Sequence, residues 1–506
     1  MSTWVRALAV LSSGMLGGGL ASAGDVSDDT TSPDREALQM HWAAGDYADA
    51  LPIAERIVEA KQRTVAAGQY ELAAPLHNLA TIQRNLQQYD ASEQNFARSI
   101  DIAAETKGPY APILLASMSQ LGALHYQTQR YAESLELLRR AQHIAHRNHG
   151  VYTLKQLSIV DWITKVNLAT GQILAADLQQ RFAYKISERN YGESDQRMIP
   201  AMSKLGNWLR DTGQYADALR IYDRALQVTE TNNSAVDLKL VSILRAMSAT
   251  MYLQGRCCPD EPLERALDIV VREPATDAAD ELTAIMHLAD MSLLTGREGN
   301  AGKLYRRAWN MLAWEDGVNR KAERLFAAPT RLGVSRVSHL VSAYGQAQRR
   351  RPQSVHVKTY RPAQSDSRGI SFSFSKPKPR RSGLIGTPLA LCYPQVLDLA
   401  KVDGKEDLSE YYMDLDFLVS HDGKVSNIAL VESNTPSRLG RYVKNILRVT
   451  RFRPRLHEGE PVATENVSLR QTFAADQITD SDAVYPHSVE KTAAVHGCNL
   501  LAASAS

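Results

Sequence analysis

The sequence predicts an all-α array of repeated helical hairpins followed by a small α+β domain of β-β-α-β order. Three observations predict it. Glycine, tyrosine and alanine recur together at a step of 42 residues through the N-terminal part of the chain. Residues 411–419 and 425–431 alternate apolar and polar about an Asp-Gly turn, a strong hairpin signal. The chain has 506 residues, 44% of them hydrophobic and 23% charged, an ordinary soluble composition and a length for two or three domains.

Residues 1–23, MSTWVRALAVLSSGMLGGGLASA, read as a signal peptide. Arg6 precedes an apolar run diluted by Ser and Gly, and Ala21-Ser22-Ala23 fits a small-residue cleavage site. The run is short and glycine-rich for a membrane span of about 20 residues. An exported, periplasmic location is therefore expected, with an uncleaved inner-membrane anchor as the alternative.

The repeats follow. In residues 205–226, LGNWLRDTGQYADALRIYDRAL, two helices are expected to break at Asp211-Thr212-Gly213. Gly206, Ala218 and Ala225 let the helix backbones approach, while Tyr215 and Tyr222 fill the space beside them. With Tyr215 as marker, the equivalent positions upstream are Ile173, Tyr131, Tyr89 and Tyr47, and downstream Cys257 and Glu298, the last one residue short of the period. Seven units are in register. Two are degenerate: Ile173 replaces Tyr, and Cys257-Cys258-Pro259 interrupts a turn. Residues 319–326 are expected to form a closing helix, needed because a last repeat exposes an apolar face.

These residues resemble the tetratricopeptide (TPR) repeat, in the long-period form seen in kinesin light chains and related bacterial arrays. The resemblance covers roughly residues 33–313. With its capping segment the array is assigned 33–345. It implies an all-α TPR superhelix whose first helices line a concave face and bind a peptide or protein ligand. Carried onto this register, the ligand-facing positions are His77, Thr81 and Arg84; Ser119 and Tyr126; Asp161 and Lys165; and Ser203, Asn207 and Arg210. A solvated wall is the plainer reading of the same residues. His143, His146 and His149 stand three apart at a helix end, where imidazole suits the negative end of the helix dipole better than it marks a metal cluster.

Residues 346–385 form a basic, Pro-containing linker. Residues 346–383 carry ten Lys or Arg against Asp366 alone, a charge of +9 in a chain of +2, so the remainder is −7. Such a segment is stiff and extended. It is read as a solvated tether or as a contact for anionic envelope polymers. Nucleic acid is not expected as a partner.

A second domain is assigned 388–474, with a helix at 437–449 and a third strand at 467–473. The element order and the residues at its corners resemble the TonB-family C-terminal domain: Tyr393-Pro394, the Asp422-Gly423 hairpin, Glu432-Ser433, Arg451-Phe452-Arg453-Pro454, and Gly459, Pro461 and Val462. The resemblance implies a TonB-like fold and a protein contact by strand addition, with an outer-membrane receptor or other envelope protein as partner. Residues 475–506 are expected to be a disordered tail. Of the four cysteines, adjacent Cys257 and Cys258 bridge poorly. Cys392 and Cys498 form the more natural pair, closing a loop around the second domain. Four free thiols remain the alternative.

No catalytic motif is present: no G-x-S-x-G, no H-E-x-x-H, no phosphate-binding glycine loop and no paired-Cys metal site. No cofactor and no metal are expected. The sequence reads as a non-enzymatic periplasmic adaptor, the array binding a peptide or protein and the second domain contacting an envelope protein. A membrane-retained TonB-type energy transducer for outer-membrane transport is the alternative.

Overall fold

A computed structural model describes residues 33–64, 70–232, 237–273, 276–316, 320–332, 411–434 and 437–473. The residues read as signal peptide, linker and tail, with Cys392 and Cys498, lie outside the described residues. The chain divides into two compact units between Ala201 and Met202.

The first unit holds helices α1 (Pro33–Ala44), α2 (Tyr47–Thr64), α3 (Ala73–Asn85), α4 (Tyr89–Lys107), α5 (Leu114–Gln127), α6 (Tyr131–His149), α7 (Leu157–Ala169) and α8 (Ile173–Tyr191). They pair in sequence as four antiparallel hairpins. Every second helix begins on the marker residue of the 42-residue step. The reason is local: one left-handed residue sits two positions before the marker. Gly45 and Gly171 supply it at φ 75° and 72°, and Gln87 and Gln129 take φ 61° in the two units between. Close approach within a hairpin is fixed by small side chains. Ser92 Oγ donates to the Ala80 carbonyl at 2.7 Å, and Ser134 Oγ to the Gly122 carbonyl at 2.6 Å. One apolar core runs through the first three hairpins and reaches Ile159, Ile163 and Val166 of the fourth.

Helix α9 (Ile199–Asp211) opens the next hairpin, completed in the second unit by α10 (Tyr215–Asn232). The second unit continues with α11 (Lys239–Gln254), α12 (Glu261–Arg272), α13 (Ala278–Leu294), α14 (Glu298–Asp316) and the closing helix α15 (Arg320–Leu325). Helix α12 starts at Glu261 and not at the expected marker Cys257. Cys258 adopts φ 56° and Pro259 follows it, so the turn lengthens before a helix can begin. Cys257 and Cys258 are both free thiols, and they line a cleft of about 390 Å³ with Tyr252, Arg256 and Arg297.

The C-terminal residues of the second unit form β2 (Tyr411–Val419), β3 (Val425–Ser433), α16 (Ser437–Val449) and β7 (Thr464–Phe473), with the sheet ordered β3-β2-β7 and antiparallel throughout. The β-β-α-β order is present. Alternation in β2 has its expected result: Met413, Leu415, Phe417 and Val419 are buried with Val443 and Leu447 of α16. Gly423 takes φ 74° in the hairpin turn, as the Asp-Gly signal requires.

Four short strands were not legible in the sequence. β1 (Thr330–Leu332) pairs antiparallel with β4 (Arg451–Arg453), and β5 (Arg455–His457) pairs with β6 (Glu460–Val462). The end of the helical array thus contributes a strand to the C-terminal residues, across the boundary expected from composition. Among the described residues no helix is long and apolar enough to cross a membrane.

Candidate functional site

The first helix of each hairpin carries the candidate contacts. In the first unit they differ in depth. His77 and Thr81, expected on a solvent-facing wall, are interior: each is under one-twentieth exposed. His77 Nδ1 lies 3.0 Å from Ser117 Oγ, which lies 3.0 Å from Ser99 Oγ, and Ser99 donates to the Ala73 carbonyl. This chain of hydrogen bonds ties α3, α4 and α5 together. Thr81 Oγ1 donates to the His77 carbonyl of its own helix. Burial, and then the charge of Arg84, push the His77 imidazole down to about 4, so it is neutral at ordinary pH. The register is right here and the depth is not.

Arg84 is also buried, at 3% exposure. Among the described residues its Nε and Nη1 have no hydrogen-bond partner. Burial lowers its pKa, opposed by the phenols of Tyr47 and Tyr89.

The remaining positions of the first unit are accessible. Ser119 and Asp161 are half-buried and Lys165 is exposed. Tyr126 is half-buried between Tyr131 and Trp162, with ring centroids 5.7 and 5.6 Å away. Lys165 Nζ stands 3.9 Å from the Trp162 ring centroid, a cation–π contact. Together with Trp42, Tyr47 and Tyr89 these rings form a set of half-buried aromatics along the first unit.

In the second unit Ser203 is half-buried and Asn207 exposed. Asn207 Oδ1 accepts from the Tyr222 hydroxyl at 2.8 Å, and Arg210 Nε donates to Asp211 Oδ1 at 2.9 Å. The Asn207–Tyr222 bond has a counterpart 83 residues on, where the Tyr305 hydroxyl donates to Asp290 Oδ1 at 2.9 Å. Asp290 is therefore the Asn207 position of the last hairpin. There Arg453 of β4 donates to both carboxylate oxygens, at 3.0 and 2.6 Å. Arg306 and Glu460 pair at 2.9 Å, and Lys424 and Glu298 at 3.0 Å. Leu456 joins the apolar cluster of Tyr305, Trp309 and Phe326.

The C-terminal residues thus cover the last hairpin. Asp290 escaped the sequence reading, and Arg453 entered it only as part of a corner motif, without this partner. The 42- and 41-residue steps from Asn207 to Asp290 were the available signal.

The three histidines of α6 take different partners: His146 Nε2 lies 2.7 Å from Gln156 Oε1, His143 packs on Tyr110, and His149 lies 3.5 Å from Lys155. They do not converge on one point.

The family model for the tetratricopeptide repeat matches residues 71–145, and a second one residues 201–233. The chain carries tetratricopeptide repeats. Solved structures match the chain at low identity and with low superposition scores. The kinesin light chain TPR-like repeats of Podosopora anserina are 17% identical over 40% of this chain and 95% of that one, with a TM-score of 0.36. BtubC (BKLC) from P. vanneervenii is 14% identical over 68% and 100%, with a TM-score of 0.32. The apo form of RapI is 11% identical over 64% and 88%, with a TM-score of 0.39. No curated protein matches the chain.

Proposed function

We propose that the chain is an exported, non-enzymatic interaction adaptor. Its TPR hairpins hold a peptide or protein partner along their first helices. Its β-β-α-β residues, TonB-like in motif and order, contact an envelope protein by strand addition. The observation that carries the first half is the accessible set Ser119, Tyr126, Trp162 and Lys165, where half-buried rings and a cation–π pair present apolar faces beside polar tips. The second half is supported by an edge. Among the described residues β3 pairs with β2 alone, and Leu430 and Val431 on it are 45% and 62% exposed. The exported location is supported by residues 1–23.

A photo-crosslinking residue placed at Ser119, and separately at Leu430, tests both halves in protein expressed from its natural N-terminus. The expected outcome is a discrete partner at each site. The Ser119 partner disappears in a Tyr126→Ala, Lys165→Glu double variant, and the Leu430 partner does not. N-terminal sequencing of the recovered protein should give a start close to Gly24. No crosslink at either position overturns the adaptor reading, and a start at Met1 in the membrane pellet overturns the exported one.

A further inference from the structure

In the sixth unit the repeat breaks, and the break sets two thiols at the surface. Elsewhere the marker residue begins a helix; here the marker is Cys257, and the helix waits until Glu261. Cys258 at φ 56° and the buried Pro259 hold the chain between them out of the helix. Cys257 is exposed and Cys258 half-buried, and both are free. They line the cleft of about 390 Å³ together with Arg256 and Arg297. That volume lies in the range of small-molecule sites.

The two arginines hold equivalent places. Each follows the left-handed glycine of its turn, Gly255 at φ 74° and Gly296 at φ 80°. The same position holds Arg130 in the third unit, whose Nη1 donates to Glu93 Oε1, 37 residues earlier, at 2.9 Å. Arg297 repeats that contact with Asp260, again 37 residues earlier. Asp260 is fully buried while Arg297 is 44% exposed, so this pair shows the cleft its guanidinium and not its carboxylate. For Arg256 the residue at the same separation is Leu219, which is buried and offers no acceptor. Among the described residues the Arg256 guanidinium makes no hydrogen bond or ion pair, and Asp223 of α10 feels its charge without bonding it.

The thiols are unequal. Cys258 is pushed up, first by its hydrogen bond with Cys257 and then by that neighbour's charge, with Glu261 adding to both. Cys258 therefore keeps its proton, and the exposed sulfur of Cys257 is the one placed to attack. The pair closes poorly on itself. Cα atoms of neighbouring residues stand about 3.8 Å apart, short of the roughly 4.4–6.8 Å that a disulfide spans.

We propose that Cys257 is a site of thiol–disulfide exchange with a low-molecular-weight disulfide that bears carboxylates, held in the cleft by Arg256 and Arg297. The Cys257 thiolate attacks one sulfur of R–S–S–R. That S–S bond breaks and Cys257–S–S–R forms. The second sulfur leaves with the bonding pair as a thiolate, which takes up the proton that Cys257 gave to water. One thiol is exchanged for another, so the disulfide is the only co-reactant. A mixed disulfide is undone when a second thiol attacks it. Here the neighbouring thiol holds its proton and would have to close a strained ring, so the adduct persists. Neither cysteine belongs to the positions read as holding a peptide, and the site stands independently of that reading.

The reduced full chain, incubated with oxidised glutathione and separately with cystamine, tests this. Peptide mapping by mass spectrometry reads which cysteine carries the adduct, and how fast it forms. Oxidised glutathione should modify Cys257 and leave Cys258 free. Arg256→Gln alters an exposed side chain with no partner to lose. It should slow the glutathione adduct by roughly tenfold, the loss of a charge-assisted contact, and leave the cystamine rate no lower, since cystamine carries amines in place of carboxylates. Four results overturn the proposal: an unmodified Cys257, an adduct on Cys258, a Cys257–Cys258 bridge in place of the adduct, or a glutathione rate that Arg256→Gln does not change.

Discussion

Gly206 is the position at which the repeat register is most exposed to test. It lies in the middle of α9, where glycine is costly: alanine is favoured in a helix interior by about 1 kcal/mol. A Cβ built there would stand 2.5 Å from Tyr222 Cε1 and 2.8 Å from Cζ. Ordinary contact needs at least 3.4 Å, so the ring must retreat by about an ångström. Tyr222 is 1% exposed and its hydroxyl is held by Asn207 at 2.8 Å. Retreat overpacks the hairpin, at about 1–3 kcal/mol. It also strands a buried hydroxyl, at about 1–3 kcal/mol. Packing wins over propensity, and Gly206→Ala should destabilise by about 2 kcal/mol, with Gly206→Leu worse. Gly302 is the control. It lies inside α14 with nothing among the described residues within 4 Å of its would-be Cβ, so Gly302→Ala should stabilise by about 0.5–1 kcal/mol. Thermal and urea unfolding followed by helical circular dichroism reads both. A Gly206→Ala variant that gains stability as Gly302→Ala does would show that the two helices are not packed in this register.

Two further outcomes follow from buried charge. Asp290→Ala leaves Arg453, 15% exposed, without its counter-ion, and should destabilise the C-terminal residues by about 3 kcal/mol. Limited proteolysis should then cut between the last hairpin and β4, and unchanged protection would rule out this contact as what holds them. His77 and His287 are both pushed by burial to about 4, well below the unfolded value of about 6.5. Each is neutral when folded and gains its proton on unfolding. Stability is therefore complete above pH about 6.5 and is lost as pH falls towards 4, by up to about 3 kcal/mol at His77. His77→Gln should flatten part of that slope in a melting series, and a slope left unchanged would assign the loss to other groups.

Helix starts were legible because they depend on neighbours in sequence. A left-handed residue, one intervening residue and the marker make a turn, and α2, α4, α6, α8, α10 and α14 begin on the marker; in the sixth unit Gly255 is left-handed too, but Pro259 delays α12 to Glu261. The strand β2 was legible for a similar reason, since alternate burial writes itself into the residues. Depth was not legible. Thr81 and Asn207 hold one register position, yet Thr81 is buried and Asn207 exposed. What decides this is how adjoining helices pack, and the period alone does not encode that. β1 and β4 were missed because each has three residues and its partner lies some 120 positions away in sequence. Neither strand has length enough to show a pattern.

The junction at Asp290 bears on why an array should end in a sheet. A stack of hairpins leaves its last apolar face uncovered, and a short α15 of six residues covers little of it. Leu456 and Phe326 close that face from opposite ends of the sequence, and the Leu456 amide donates to the Phe326 carbonyl at 3.2 Å. Gly459 allows β5 and β6 to approach: a Cβ there would already stand 3.3 Å from Trp309 Cδ1. Arg453 then meets Asp290 at the position that Asn207 holds, two hairpins earlier, in an accessible state. The last repeat is thus occupied by the chain itself, and the register positions left open to a partner are those of the hairpins before it. On the proposed reading, a ligand of the array and a partner of the β3 edge would meet different residues, so binding of one need not displace the other.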